Sequence, residues 1–219
     1  MANFSELKTD ISNYLGESYL DTQVGDAINR AIRFYQRRRF WFNEESTSIT
    51  LTASDPVVPS LPSDFQYEIP DGGLVIVDNQ SYYRLRKVGN AEYDANNTQG
   101  IGRPTMYRNR DSQLEVYFYP DQAYTLNLYY VKNYTALSAD GDSNDFTNNA
   151  EELIKNKALA YLYETYRKDA EKAVYFRQVA KDELDDLLVE SNNRTTTGTL
   201  VIEDITLNNN YINTNLNCY

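Results

Sequence analysis

Gly102-Arg103-Pro104-Thr105-Met106-Tyr107 leads into Leu114-Glu115-Val116-Tyr117-Phe118-Tyr119-Pro120 and, after a short turn, into Tyr124-Thr125-Leu126-Asn127-Leu128-Tyr129-Tyr130. The last two runs alternate. Leu114, Val116 and Phe118 share one face against Glu115, Tyr117 and Tyr119, and Tyr124, Leu126, Leu128 and Tyr130 alternate with Thr125, Asn127 and Tyr129, a period that predicts strands. Pro120 fixes its own φ and Asp121 can bond its own backbone, so the segment between the runs reads as a turn and the pair as an antiparallel hairpin. The Gly102-Arg103-Pro104 segment reads as the bend that aims the chain into it.

Outward from this hairpin the period changes. Phe4, Leu7, Ile11 and Leu15 recur at helical spacing behind an Asn3/Glu6 capping box, predicting a helix over about residues 4–15. A second helix is expected over about residues 22–40, with Val24, Ala27, Ile28, Ala31 and Tyr35 as its apolar stripe and Arg30, Arg33 and Arg37 on another face. Residues 46–134 read at period two: an alternating run through Ile49 and Leu51, breaks at Asp55-Pro56 and Pro59 to Pro62, an apolar strand Leu74-Val75-Ile76-Val77, a turn at Asp78-Asn79-Gln80, a strand over residues 82–88 and one helical turn over residues 90–96. Helix returns near Asn149, capped by Asn148 with Glu151 or Asn149 with Glu152. Ile154, Ala158, Tyr161 and Leu162 mark one face, and Ala173, Phe176, Ala180, Leu184 and Leu187 continue after a break at Lys168-Asp169. Two antiparallel helices or one long helix both satisfy this pattern. The expected fold class is therefore α+β: a helical bundle formed by the N- and C-terminal helices, with an inserted, mostly antiparallel β-module and an extended C-terminal tail. The corresponding segments are residues 1–45, 46–135, 136–192 and 193–219.

Composition narrows the function. The 219-residue chain has 41% hydrophobic residues and 20 tyrosines, enough for a core and too much for wholesale disorder. It has no histidine and one cysteine, Cys218, which removes the commonest general base, the commonest zinc ligand and any internal disulfide. Carboxylate-only chemistry, such as glycoside hydrolysis by an acidic pair, survives, but 32 acidic residues single out no pair. A net charge of −11 argues against wrapping DNA tightly. No apolar run approaches the ~20 residues needed to span a bilayer, and the N-terminus lacks the pattern of a secretion signal, so no membrane role is expected.

Three local features compete with bland readings. Arg37-Arg38-Arg39 with Arg30 and Arg33 is the only dense basic cluster. A nucleic-acid contact competes with pairing, from a helix C-terminus, with acids of its own or a neighbouring subunit, and the subunit interface is favoured. Asp140-Gly141-Asp142-Ser143-Asn144-Asp145 with Glu151 resembles a calcium loop, yet Asp145 stands where that loop needs glycine, so a helix-capping loop is favoured. Gly72-Gly73 and the pair Gly100 and Gly102 lack the lysine-serine pair of a phosphate cradle and read as turns. Beyond Glu190 the chain becomes rich in asparagine and threonine. Leu200-Val201-Ile202 and Ile205-Thr206-Leu207 could each form a strand but cannot bury their side chains alone, which suggests a tail that docks elsewhere.

The order of parts — two helices, a β-insertion with Leu61-Pro62-Ser63-Asp64-Phe65, the Gly102-x-Pro104-x-x-Tyr107 segment, the Tyr119-Pro120 turn, Leu137-Ser138 and two helices — resembles the head-to-tail adaptors of tailed phages, the connector or tail-accessory proteins of podovirus-type necks. The resemblance implies a structural protein without catalysis or cofactor. It implies a homo-oligomeric ring, expected to be dodecameric, below the portal protein in the virion neck, after assembly in the host cytoplasm. Such a ring extends the DNA channel with only passive contact to the passing viral DNA, and offers a platform to the downstream tail or nozzle protein. The portal-docking tail would then include Leu200, Val201, Ile202, Ile205, Leu207, Tyr211 and Tyr219, and the subunit interface Arg30, Arg33, Arg37, Arg38 and Arg39. Tyrosine suits such a ring, since it supplies apolar area with a polar tip at low rotamer cost, and an acidic lumen would repel phosphates. The alternatives are a tail-tube or tail-completion protein, a carboxylate-based glycan hydrolase and a cellular binding module with a disordered tail.

Overall fold

Helix α1 spans Phe4–Leu15 and buries Phe4, Leu7, Ile11 and Leu15. Its capping box is formed as the sequence predicts, with Asn3 and Glu6 each accepting the other's backbone N–H at 2.9 Å. Gly16 ends it at φ 69°, a left-handed conformation that costs glycine little. The computed structural model of the chain describes residues 2–16, 20–70, 72–96, 100–111 and 113–195.

Helix α2 spans Asp21–Tyr35 and buries Val24, Ala27, Ile28, Ala31, Ile32 and Tyr35. It stops five residues short of the expected end. Continued at 3.6 residues per turn, it would carry Phe40 round to the solvent side, away from the stripe centred on Ile28. Instead the chain turns, and Phe40 is fully buried against Phe42 and Phe146, with ring centroids 5.1 and 5.8 Å away. The turn is held by buried Asn43, whose side chain accepts the Phe40 N–H and donates to the Arg38 carbonyl, both at 2.8 Å.

The C-terminal helices are α4 (Asp145–Asn149), α5 (Glu151–Leu162) and α6 (Ala170–Thr195). The expected caps at Asn148 or Asn149 are not made. Asn144 caps the segment earlier, accepting the Phe146 and Thr147 N–H groups while Thr147 Oγ1 accepts its own N–H, so helix begins at Asp145 and α5 follows from Ala150 without a side-chain cap. A π-type turn over Tyr163–Arg167 and left-handed Lys168, φ 53°, separate α5 from α6. Of the two patterns open in the sequence, two helices is the one formed. α5 packs most extensively on α6 and α2, so it lies between them. Leu7, Ile28, Phe40, Phe146, Leu153, Ile154 and Ala158 are fully buried in one core that draws on both ends of the chain.

The inserted module has two sheets. In the larger, β1 (Glu44–Leu51), β8 (Tyr124–Lys132), β3 (Leu74–Asp78) and β4 (Ser81–Arg84) lie in that order, and β2 (Phe65–Glu68) also pairs with β8. Every pairing in this sheet is antiparallel. The smaller sheet joins β5 (Arg86–Lys87), β6 (Met106–Arg110) and β7 (Gln113–Tyr117), with β5 parallel to β6. The strand expected over residues 82–88 is thus shared between sheets, pivoting at buried Leu85. The expected single helical turn is α3 (Asn90–Asn96), which packs on β6.

The expected hairpin is corrected. Both strands form, but β7 does not pair with β8. Its partner on one side is β6, from Arg110 opposite Gln113 to Met106 opposite Tyr117, with Asp111 in the left-handed region at φ 51°. Its other edge is occupied by residues 56–58, through Val116 N–H to the Pro56 carbonyl at 2.8 Å and Val58 N–H to the Leu114 carbonyl at 2.9 Å. With both edges filled, the chain crosses to the other sheet, where β8 serves β1, β2 and β3. The two strands still meet through side chains, since Leu114 and Val116 share one core with Leu126 and Leu128. Phe118 also departs from the expected face. It joins a small separate cluster with Tyr93 and Tyr117, and Gly100 is required beside it, because a Cβ there would lie 2.6 Å from the Phe118 ring.

Candidate assembly surfaces

Because the apolar stripe of α2 faces inward, Arg30, Arg33 and Phe34 face outward, and exposed Arg37 and Arg38 follow just past its end. Arg30 lies over the ring of Tyr161 on α5, 4.4 Å from its centroid. Lys157, one turn earlier on α5, sits 4.2 Å from the Phe34 ring centroid and 5.0 Å from that of Tyr161. Burial, with Arg177 and Arg30 nearby, pushes the Lys157 ammonium below its ordinary value. The acid at this place, Glu164, is engaged by Arg177 at 3.0 Å. The result is a strip of cations interleaved with aromatic rings across α2 and α5, carrying more positive charge than its neighbours neutralise.

The five arginines singled out in the sequence are not equivalent. Arg30, Arg33, Arg37 and Arg38 make no ion pair among the described residues, whereas half-buried Arg39 is bound to Glu44 at 2.6 Å, where the chain enters β1. Sequence reading missed Lys157 and Arg177, and it placed Tyr161 on an inner face although the ring is half-exposed under Arg30. Lys157 and Tyr161 do follow one another at i, i+4, but nothing local ties them to α2.

The calcium-like loop is built as a cap. The Asp140 and Asp142 carbonyls accept the Ser5 and Phe4 N–H groups at 3.0 and 2.8 Å, satisfying the open end of α1. Lys8 bridges Asp140 at 2.8 Å and Asp21 at 3.2 Å. The Asp142 carboxylate accepts the Ser138 and Ala139 N–H groups, which hold it below the usual carboxylate range. Among the described residues no cluster of acidic or cysteine side chains is arranged to hold a metal ion, and no helix is long and apolar enough to cross a membrane.

On the β-module, Tyr82 and Ile101 are the most exposed large apolar side chains, and Arg103 stacks 3.5 Å from the neighbouring Tyr83 ring. Leu200, Val201, Ile202, Ile205, Leu207, Tyr211 and Tyr219, the expected docking tail, lie outside the described residues.

A comparison with curated proteins finds no match. A family model described as SU10 adaptor protein matches residues 2–202, which takes in both helical segments and the whole β-module between them. The chain therefore belongs to the SU10 adaptor protein family, a family of phage adaptor proteins.

Proposed function

We propose that this protein is a structural head-to-tail adaptor whose copies form a ring, expected to be dodecameric, below the portal in the virion neck. The observation that carries this reading is the family match over nearly the whole chain. In this reading the ring assembles in the host cytoplasm, prolongs the channel through which DNA passes, and presents a platform to the next tail or nozzle protein. No catalytic step and no cofactor are required. The segment after α6 reaches into the portal, with Leu200, Val201, Ile202, Ile205 and Leu207 supplying strand edges and apolar contact and Tyr211 and Tyr219 supplying aromatic anchors. The net charge of −11 supports passive rather than adhesive contact with DNA.

Native mass spectrometry of the full chain and of a chain ending at Thr195, each alone and mixed with the portal encoded in the same genome, tests this reading. The full chain is expected to form a ring-sized complex with the portal. The shortened chain is expected to fold normally by circular dichroism and to lose portal binding. A full chain that stays monomeric beside the portal overturns the adaptor-ring reading. A shortened chain that binds as well as the full one overturns the assignment of the tail.

A further inference from the structure

The basic strip has an oppositely charged counterpart on the same molecule. Residues 27–43 hold five arginines and no acid, while residues 182–190 hold five acids, Asp182, Glu183, Asp185, Asp186 and Glu190, and no base. The second segment lies on α6. That helix buries Ala173, Phe176, Ala180 and Leu184, which turns Asp182, Asp185, Asp186 and Val189 outward at helical spacing. Asp185 and Asp186 make no ion pair among the described residues, and Asp182 only accepts a hydrogen bond from Gln178. Apolar residues flank both strips: Phe34 on the basic one, and Val174, Tyr175 and Val189 on the acidic one, all exposed. Since α5 packs on both α2 and α6, the two strips lie on different helices of one helical layer.

We propose that the acidic outer face of α6 in one copy docks on the basic strip of α2 in the next copy, a head-to-tail contact. This inference rests on the ring reading above and names the surfaces that make the ring. A copy with one strip of each kind presents unlike surfaces to its two neighbours, and repetition of such a contact closes into a ring when the rotation per copy allows. Charge complementarity identifies the occupant. The charge that Arg33, Arg37 and Arg38 leave unneutralised is opposite in sign and equal in number to that of Asp182, Asp185 and Asp186, and the exposed Phe34 ring has Val189, Val174 and Tyr175 to cover it.

The test uses the full chain in two charge-reversed forms, Arg33→Glu with Arg37→Glu and Asp182→Lys with Asp185→Lys, and a third carrying Arg33→Cys with Asp185→Cys and Cys218→Ser. The substituted side chains are exposed, so thermal melts are expected to match the wild type. Each charge-reversed form alone is expected to need at least about tenfold more protein to assemble, alone or on the portal, because like charges then face each other. An equal mixture of the two is expected to assemble again, since every contact then joins opposite charges. Under oxidation the double-cysteine form is expected to give a ladder of cross-linked species beyond the dimer, while either cysteine alone gives none. Charge-reversed forms that assemble like the wild type, or a double-cysteine form that assembles without cross-linking, overturn the inference and leave the ring reading standing. Arginine variants that assemble normally but lose retention on duplex DNA overturn it in favour of a nucleic-acid contact. A wild-type chain that forms no multimer under any of these conditions overturns the ring reading itself, and the proposed contact with it.

Discussion

The helical half and the β-module are held together by different physics. The helical half closes on one continuous apolar core in which helices from the two ends of the sequence interlock, and its ion pairs, such as those of Lys8 and Lys155, decorate the surface. The β-module divides its apolar side chains between two smaller cores and pins them with buried charge. Arg108, only 7% exposed, binds Glu115 and Asp94 at 2.6 Å and lies 4.1 Å from the Tyr93 ring centroid, fastening α3 onto the smaller sheet. Glu68, 1% exposed, is met by Lys87 and ties the two sheets together. Dispersion and solvent exclusion are indifferent to partner identity, whereas a buried charge fails when its one partner is removed.

The comparison is broken most severely at Phe146, which is fully buried and touches the Phe40, Phe42 and Tyr134 rings. Phe146→Ala is expected to cost about 3–5 kcal/mol in urea unfolding, largely independent of salt. Arg108→Met should cost about 3 kcal/mol by stranding Glu115, and adding Glu115→Leu should recover most of it. If the single change is harmless, the β-module does not depend on buried charge.

Alkali probes both halves at once. Burial raises the Tyr35 phenol in the helical half, and the Tyr93 and Tyr130 phenols in the β-module, to about 12 from an ordinary 10.0. A folded-state pKa above the unfolded one means that this stabilisation is complete below pH 10 and is lost as pH rises towards 12. Absorbance at 295 nm should therefore show these phenols ionising only as the protein unfolds. The smallest effect is expected at Asn3→Ala, which removes the cap of α1 and should lower stability by about 1 kcal/mol without touching the sheets.

How much of this could be read in the sequence follows the same division. A helical core leaves its mark within each helix, so Phe4, Leu7, Ile11 and Leu15 announced α1 correctly and the Asn3/Glu6 box announced its start. A sheet leaves only its period. The alternation in β7 and β8 was legible, but the neighbour of each strand depends on remote segments, and residues 56–58 took the edge that local reading had given to β8. Strand β6 was missed because, beside buried Tyr107, its other buried residue is Arg108, a charge that interrupts apolar alternation and is buried only because Glu115 and Asp94 are there to receive it. The basic strip was half legible for a related reason: the arginines of α2 cluster in sequence, while Lys157, Tyr161 and Arg177 reach them only through the fold.

The chain enters β1 at Glu44 and leaves β8 near Lys132, and Glu44 lies opposite Val131 in their ladder. Both crossings between the halves therefore sit at one end of the same pair of strands. Tension that drew the halves apart would open that ladder rung by rung, as a zip opens, instead of shearing all its hydrogen bonds together. The first resistance would come from the clasp just outside it, where Asp145 receives Lys132 at 2.9 Å and the Tyr134 hydroxyl at 2.8 Å. Under such tension that clasp would be the protein's mechanical fuse.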